Sequence, residues 1–411
     1  MDAQQVENER RSANRKAWKK NAPYFNDMVL SEVMEWPSLT FQFFPDKQVT
    51  TDNDLAMIRT LSGTNAMENP DELDSLLIST FTLPANASLI TSHDVAAVSI
   101  DTKLTDTIAK DGADPDAVLV EMGGFVELRK LPDAYNKQMV ISYGIEQRIR
   151  HNGEVNKARL APNNANLIAA RGPDRAIHIF DRVNQPGTGG LLLRTDREAQ
   201  PDFTLTGMAD EGFPLDWAPG VDGMLAAGDN SGVVALWDLN KADGRPTATW
   251  DVGDAVCDLA WHPTASDIVV IAGDATCAVF DARTQTVAVD FEKPAMAAKA
   301  CPLDPYAVGV CRAGAFERVD MRQPLTPVTV TETPSETYCL SWSPHVPYCA
   351  VGCEDGEVCL ISLDGALSHV HGDHTRRVND VDWHPNLPWT LGSVGDDCRL
   401  SVWQPDRSVV G

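Results

Sequence analysis

A corner motif that returns about every 40 residues constrains this chain more than any other feature. Six strand-like segments end in a turn that closes on proline: Ala158–Pro162, Leu215–Pro219, Leu259–Pro263, Ala300–Pro305, Leu340–Pro344 and Val381–Pro385. Four of them carry a tryptophan two residues before the proline, at Trp217, Trp261, Trp342 and Trp383. The prolines lie 57, 44, 42, 39 and 41 residues apart, a regularity that marks repeated units too small to fold alone. Each corner leads to a short apolar strand, a polar turn and a second strand. The second strands end at Asp181, Asp238, Asp281, Asp320, Ser362 and Gln404. Seven residues before four of these endings stand Asp174, Asp274, Asp355 and Asp397, each in the turn; Ser231 and Ala313 hold the place in the other two. A turn aspartate accepts backbone N–H bonds and tightens the hairpin.

Units of this length and pattern resemble the WD-repeat family of β-propellers, with about four strands per blade. The resemblance implies an all-β fold, a seven-bladed propeller, here with an added N-terminal α-helix. A less regular blade is expected in 55–145, with strands Leu55–Gly63, Leu76–Leu83, Ala117–Met122 and Gln138–Ile145. The stretch 86–115, rich in Asp, Thr and Ala, reads as an inserted acidic loop. The strand Ser38–Phe44 is expected to close the ring by pairing with the last blade, which would remove a free sheet edge. The expected organisation is therefore a helical segment, 1–36, docked on the edge of a propeller, 37–411.

Composition narrows the function classes. A net charge of −25 disfavours direct contact with nucleic acid and suits a basic partner. No apolar run reaches the roughly 18 residues that a membrane span requires, and the opening MDAQQVENER has no apolar core for a secretory signal. Nine cysteines scattered through strand-like segments fit free thiols in a reducing compartment.

Residues 6–34 have helical composition, with Ala13, Ala17, Trp18, Tyr24, Phe25, Met28 and Val29 available for an apolar stripe. Pro23 is expected to start a new helical turn. Arg10, Arg11, Arg15, Lys16, Lys19 and Lys20 make the other face basic. Such a helix either caps an acidic ring or forms one wall of a binding groove.

The block Trp18-Lys-Lys-Asn-Ala-Pro-Tyr-Phe25, the stop Glu35-Trp-Pro-Ser-Leu-Thr40 and the segment Ile58–Thr64 resemble the histone-binding WD-repeat family, which includes the retinoblastoma-binding proteins and the small subunit of chromatin assembly factor. Further matches are Gly123–Phe125, His151–Arg159, Asp210–Phe213 and His374–Trp383. The resemblance implies a non-enzymatic histone escort and scaffold. It would be nuclear or shuttling, without cofactor, and part of chromatin assembly, deacetylase or methyltransferase complexes. It also implies two protein-binding surfaces. For an acidic top face that takes Arg/Lys-rich tails, the matching positions are Glu154, Asn156, Lys157, Glu211, Phe213, Glu336, Tyr338 and Arg377. Carboxylates there accept charge-assisted bonds and the aromatic faces suit a guanidinium plane. Cys257 stands where the family carries an acid, and Lys299 where it carries a neutral polar residue. Ordinary solvated loops remain the plain alternative.

The second implied surface is an edge groove for a histone helix, with Trp18, Phe25, Val29, Asp364, His369 and Val370 at the matching places. The family's long acidic loop before the last blade is shortened here to 363–371, leaving Asp364 and Asp373 as the acids of the connection. A basic helix needs an acidic wall, so weak histone-helix binding and a different partner helix are expected.

Cys349, Cys353, Cys359, His369, His371 and His374 are metal-like by count only; their spacing is irregular and zinc ligands come in close pairs. His374 is expected instead to bond the Asp397 turn. No P-loop, dinucleotide fingerprint or nucleophile elbow is present. An acidic WD-repeat chaperone of ribosome assembly is the competing function class.

Overall fold

The protein is described by a computed structural model covering residues 3–49, 55–66, 74–84, 95–97, 125–129, 142–186, 200–241 and 243–410. Seven antiparallel sheets follow one another along the chain. The first blade takes Phe41–Val49, Leu55–Gly63, Ser75–Pro84 and Ser142–Arg150. Five regular four-stranded blades follow, with innermost strands Lys157–Ala161, Leu215–Trp217, Val256–His262, Ala297–Ala300 and Thr337–Trp342. The last blade begins with Val378–Trp383 and continues through Leu391–Gly395 and Arg399–Pro405.

Three of the four corner tryptophans explain themselves in this arrangement. The indole of Trp217 donates to the Arg159 carbonyl of the preceding blade at 3.0 Å, Trp342 to Lys299 at 2.9 Å and Trp383 to Ser341 at 2.9 Å. A buried indole needs a partner for its N–H, and here that partner ties one blade to the next. Three of the turn aspartates, Asp174, Asp355 and Asp397, accept backbone amides as expected, whereas Asp274 takes the Cys257 thiol. Asp397 accepts the Thr375 amide at 2.7 Å and lies 3.0 Å from His374, whose other ring nitrogen is 2.8 Å from the Ser393 hydroxyl. The blade with Ser231 is not an exception in chemistry. Asp229, two residues earlier, accepts the amides of Ala209, Asp210, Ser231 and Val233.

Closure of the ring differs from the expectation. The helix α1 (Ala3–Phe25) continues through Pro23 and ends two residues later, and Asn26–Val33 is a strand, β1, not helix. β1 pairs antiparallel with Arg399–Pro405, from Asn26 opposite Pro405 to Val33 opposite Arg399. Residues 26–31 are all buried, so joining a sheet outweighs the local helical preference of this stretch. The expected closing strand, Ser38–Phe44, instead supplies the innermost strand of the first blade. It still touches the last blade through side chains: the amides of Phe41 and Phe43 donate to Asp380 and Asp382 at 2.9 and 3.0 Å. The last blade reaches six strands, because Phe125–Arg129 pairs with β1 and Val95–Ala97 pairs with Phe125–Arg129. The rest of 86–115 and the expected strand 117–122 lie outside the described residues.

α1 is fastened where the last two blades meet. Trp18 packs edge-on against His371, 4.7 Å between centroids, and His371 stacks on Trp403 at 4.1 Å. A side chain at Gly372 would come within 3.0 Å of the Trp18 ring, so glycine permits the contact. Arg15 donates to the buried carboxylate of Asp373 at 2.7 and 3.1 Å. Phe25, like Trp18 expected to pack against the last blade, is instead 45% exposed: the chain leaves the helix there to enter β1.

Burial disfavours the Asp373 carboxylate, but Arg15 and the neighbouring histidines outweigh it and hold the carboxyl down to about 2. A depressed acid stabilises the fold fully above its ordinary value of 3.8 and loses that contribution as pH falls through its folded value. Pepsin release of α1 should therefore rise as pH falls from about 4 to about 2. Arg15→Ala, which leaves a buried carboxylate unpaired at a cost of about 3–5 kcal/mol, should release the helix already at pH 4. Trp18→Ala should lower stability by about 2–4 kcal/mol, less than for a fully buried tryptophan; an unchanged melting temperature would show that the helix is not docked.

Candidate functional site

The innermost strands begin at one face of the ring, and the residues at those beginnings line a depression of about 330 Å³ around the central pore. Each blade that contributes does so through the same structural position: Asn156 and Lys157, Phe213, Cys257 and Asp258, Lys299, Tyr338, and Arg377, Asn379 and Asp380. Five of the eight expected top-face residues are among its walls: Asn156, Lys157, Phe213, Tyr338 and Arg377. Glu154, Glu211 and Glu336 are not among the lining residues.

Asn156 is buried and donates from its amide group to Glu211 at 2.7 Å, so it aims the carboxylate rather than facing outward. Tyr338 donates its hydroxyl to Glu336 at 3.0 Å, and the Arg377 guanidinium sits over the Tyr338 ring at 5.2 Å while pairing with Asp396 at 3.3 Å. Phe213 remains 42% exposed, an open aromatic face on a rim otherwise polar. The carboxyl of Glu154 is raised above its ordinary range by burial and then by the charges of Asp74 and Glu211. A cation brought beside Glu154 would favour its charged form, against the burial and neighbouring carboxylates that oppose it. Cys257 does not replace a lost acid. Burial and the nearby Asp274, which its thiol contacts at 3.3 Å, push it up to about 12, so it stays neutral.

Around the pore stand charges, Arg159, Asp216, Asp380 and Asp382, that reasoning from sequence passed over. Lys157 reaches Asp380 at 3.3 Å, and Arg159 binds the same carboxylate at 2.9 Å. Burial works against the Asp380 carboxylate, but Arg159, Lys157 and Lys299 more than compensate and hold its carboxyl well below the usual range. Asp382 lacks such a close cation, and burial raises it to about 6. Asp216 accepts the Trp261 amide at 2.8 Å. A signal for these residues was present in the corners, where an aspartate precedes the tryptophan by one residue at Asp216 and Asp382 and by three at Asp258 and Asp380.

The residues expected at the edge groove separate. Val29 lies in the core with Trp403, His369 is buried and tilted against Trp403 at 5.6 Å, and Val370 packs into the core between the fifth and sixth blades. Val29 is interior because it belongs to β1, whereas His369 and the partly buried Val370 belong to the strand Leu367–His371, which is part of the sixth blade and not a loop lip. Asp364 closes a tight turn with Ser362, and Asp373 is taken by Arg15. Of the metal-like set, Cys353 and Cys359 lie 4.0 Å apart inside the sixth blade, while His371 and His374 serve Trp403 and Asp397.

Residues 13–85 match the family of histone-binding protein RBBP4, whose description also takes in a component of the CAF1 complex. Residues 326–362 and 365–404 match the WD domain, G-beta repeat. The chain is 31% identical over 440 residues to the histone acetyltransferase type B subunit 2 of Aspergillus oryzae, covering 96% of this chain and 90% of that one. It is 29% identical over 429 residues to the protein of the same name from Aspergillus fumigatus, with the same coverage.

Asp380→Asn should remove the counter-ion shared by two buried cations and cost about 3–5 kcal/mol in urea unfolding. Asp382→Asn should cost far less. It should also abolish a small gain in stability as pH falls from above 6 toward 3.8, because a carboxyl raised in the folded state binds its proton there first.

Proposed function

The chain belongs to the family of histone-binding protein RBBP4 and its CAF1-complex counterpart, and on that premise we propose that it is a non-catalytic histone-binding scaffold of a nuclear histone-modifying or chromatin-assembly complex. The names of the Aspergillus relatives favour a histone acetyltransferase assembly. In this reading the top face takes an Arg/Lys-rich histone tail. The observation that carries it is the closeness of Glu154 to Glu211 and Asp74: the Glu154 carboxyl is raised by burial and then by the charges of those two neighbours. A basic side chain laid over that cluster relieves the repulsion and gains charge-assisted bonds. Phe213 and Tyr338 supply flat faces for its apolar stem or guanidinium.

The edge of the ring is the place for a partner helix, but not one rich in basic residues. Asp364 and Asp373, the two acids of the shortened connection, are engaged in a turn and in holding α1. Charge-assisted bonds are worth about 1.5–3 kcal/mol each, so the absence of two corresponds to about 10²–10⁴ in affinity. A less basic helix from a subunit of the host complex suits this edge better than a histone helix.

Histone-tail peptides should bind measurably by calorimetry at low salt, and more weakly as salt rises, because exposed charge pairs are screened. Glu211→Gln should weaken binding without changing the melting temperature. Affinity should also fall as pH is lowered through the raised value of Glu154, since the protonated carboxyl no longer attracts a cation. Absence of binding at low salt would remove the top-face reading; submicromolar binding of an isolated basic histone helix would remove the edge reading. Purification of the native complex should recover histones together with acetyltransferase or chromatin-assembly subunits.

A further inference from the structure

Most charges in the pore are already satisfied. Arg159 and Lys157 share Asp380, Asp382 accepts the Phe43 amide, and Asp216 accepts the Trp261 amide. Lys299 and Asp258 differ. Both line the upper depression and also the cavity of about 410 Å³ at the other end of the pore, so they stand at its waist. Neither side chain makes a hydrogen bond or an ion pair within 4.0 Å among the described residues. The Lys299 carbonyl is held by Trp342, which fixes its strand and leaves the ammonium free to face the lumen. Burial opposes that ammonium, but Asp258, Asp380 and Asp216 together keep it protonated.

Charge balance decides what this waist accepts. Lys157 and Arg159 lie against Asp380, and Asp216 and Asp382 accept backbone amides, so the lumen is left with one cation, Lys299, and one carboxylate, Asp258, that make no such contact. An entering cation is drawn by Asp258 and repelled by Lys299; an entering carboxylate meets the reverse. For a charged group that reaches both side chains, attraction to one is offset by repulsion from the other, whichever sign it carries. A neutral group with a donor at one end and an acceptor at the other gains from both.

We propose that Lys299 and Asp258 form a recognition pair for a side-chain carboxamide, so that the segment bound on the top face places Gln or Asn over the pore and its basic residues over the rim. The amide N–H groups donate to Asp258 and the amide oxygen accepts from Lys299. Lys299 is thus the residue that sets specificity at the pore, by rejecting the guanidinium or ammonium that the acidic rim alone would admit. This rests on the top-face reading given above for the rim contacts, though not for the pore pair itself.

The test uses acetylated, amidated pentapeptides Lys-Arg-X-Lys-Arg with X as Gln, Arg or Glu, titrated into the full chain by calorimetry. The Gln peptide should bind about tenfold more tightly than either of the others, the worth of one hydrogen bond to a charged group. Lys299→Asn, checked for an unchanged melting temperature, should erase the advantage over Arg. Equal or tighter binding of the Arg peptide to the unaltered protein would overturn the proposal, as would an unchanged ranking in Lys299→Asn. If no pentapeptide binds, the rim reading fails and a second probe decides. N-acetylglutamine methylamide at millimolar concentration should then shift the backbone amide resonances of Cys257 and Lys299 in the unaltered protein and not in Asp258→Ala. Absence of those shifts would overturn the pore pair on its own.

Discussion

Side-chain bonds from one blade to the backbone of the next hold this ring together. Within a blade the strands share a regular ladder, but neighbouring blades meet only face to face. The indoles of Trp217, Trp342 and Trp383 reach back to the preceding blade. The carboxylates of Asp216, Asp380 and Asp382 reach forward to amides of the following one. Each neutral bond contributes about 1 kcal/mol and each charged one about 1.5–3 kcal/mol. Their effect is cumulative because a blade bonded on both sides cannot rotate about the pore.

The charged stitches have a second consequence. An aspartate that serves a neighbouring blade from the lumen is largely removed from water, and a buried carboxylate is tolerated only with a counter-charge. Arg159 and Lys157 answer Asp380 for that reason. The pore is therefore lined by charges that are mostly spent on the fold, and the top face inherits its chemistry from the strand beginnings around it. Asn156 shows the same economy at the rim: buried itself, it holds Glu211 in position.

Closure of the ring and attachment of the helix are one event. β1 completes the last blade, and α1 directly before it lays Arg15 and Trp18 across the turn that leads into that blade. Asp373, which the sequence alone offers as a groove acid, is instead the anchor of the helix. That exchange leaves the edge less acidic and shifts the basic-ligand chemistry to the top.

The repeat period, the corner tryptophans and the turn aspartates were legible in the chain because each acts locally or on its immediate neighbour, at a spacing the repeat itself sets. The N-terminal blocks were legible as a resemblance, and they led to the histone-binding family. The secondary structure of 26–33 was not legible: its composition permits a helix, and only the open edge of the last blade makes a strand the better state. For the same reason Val29 reads as a groove residue and lies in the core, while His369 and the partly buried Val370 are drawn in by the outer strand of the sixth blade. The pairing of Lys157 and Arg159 with Asp380, and the unpaired stance of Lys299 toward Asp258, join positions more than 40 residues apart in sequence. Composition supplies those charges, but which of them neutralise one another depends on distances across a pore that exists only once the ring has closed.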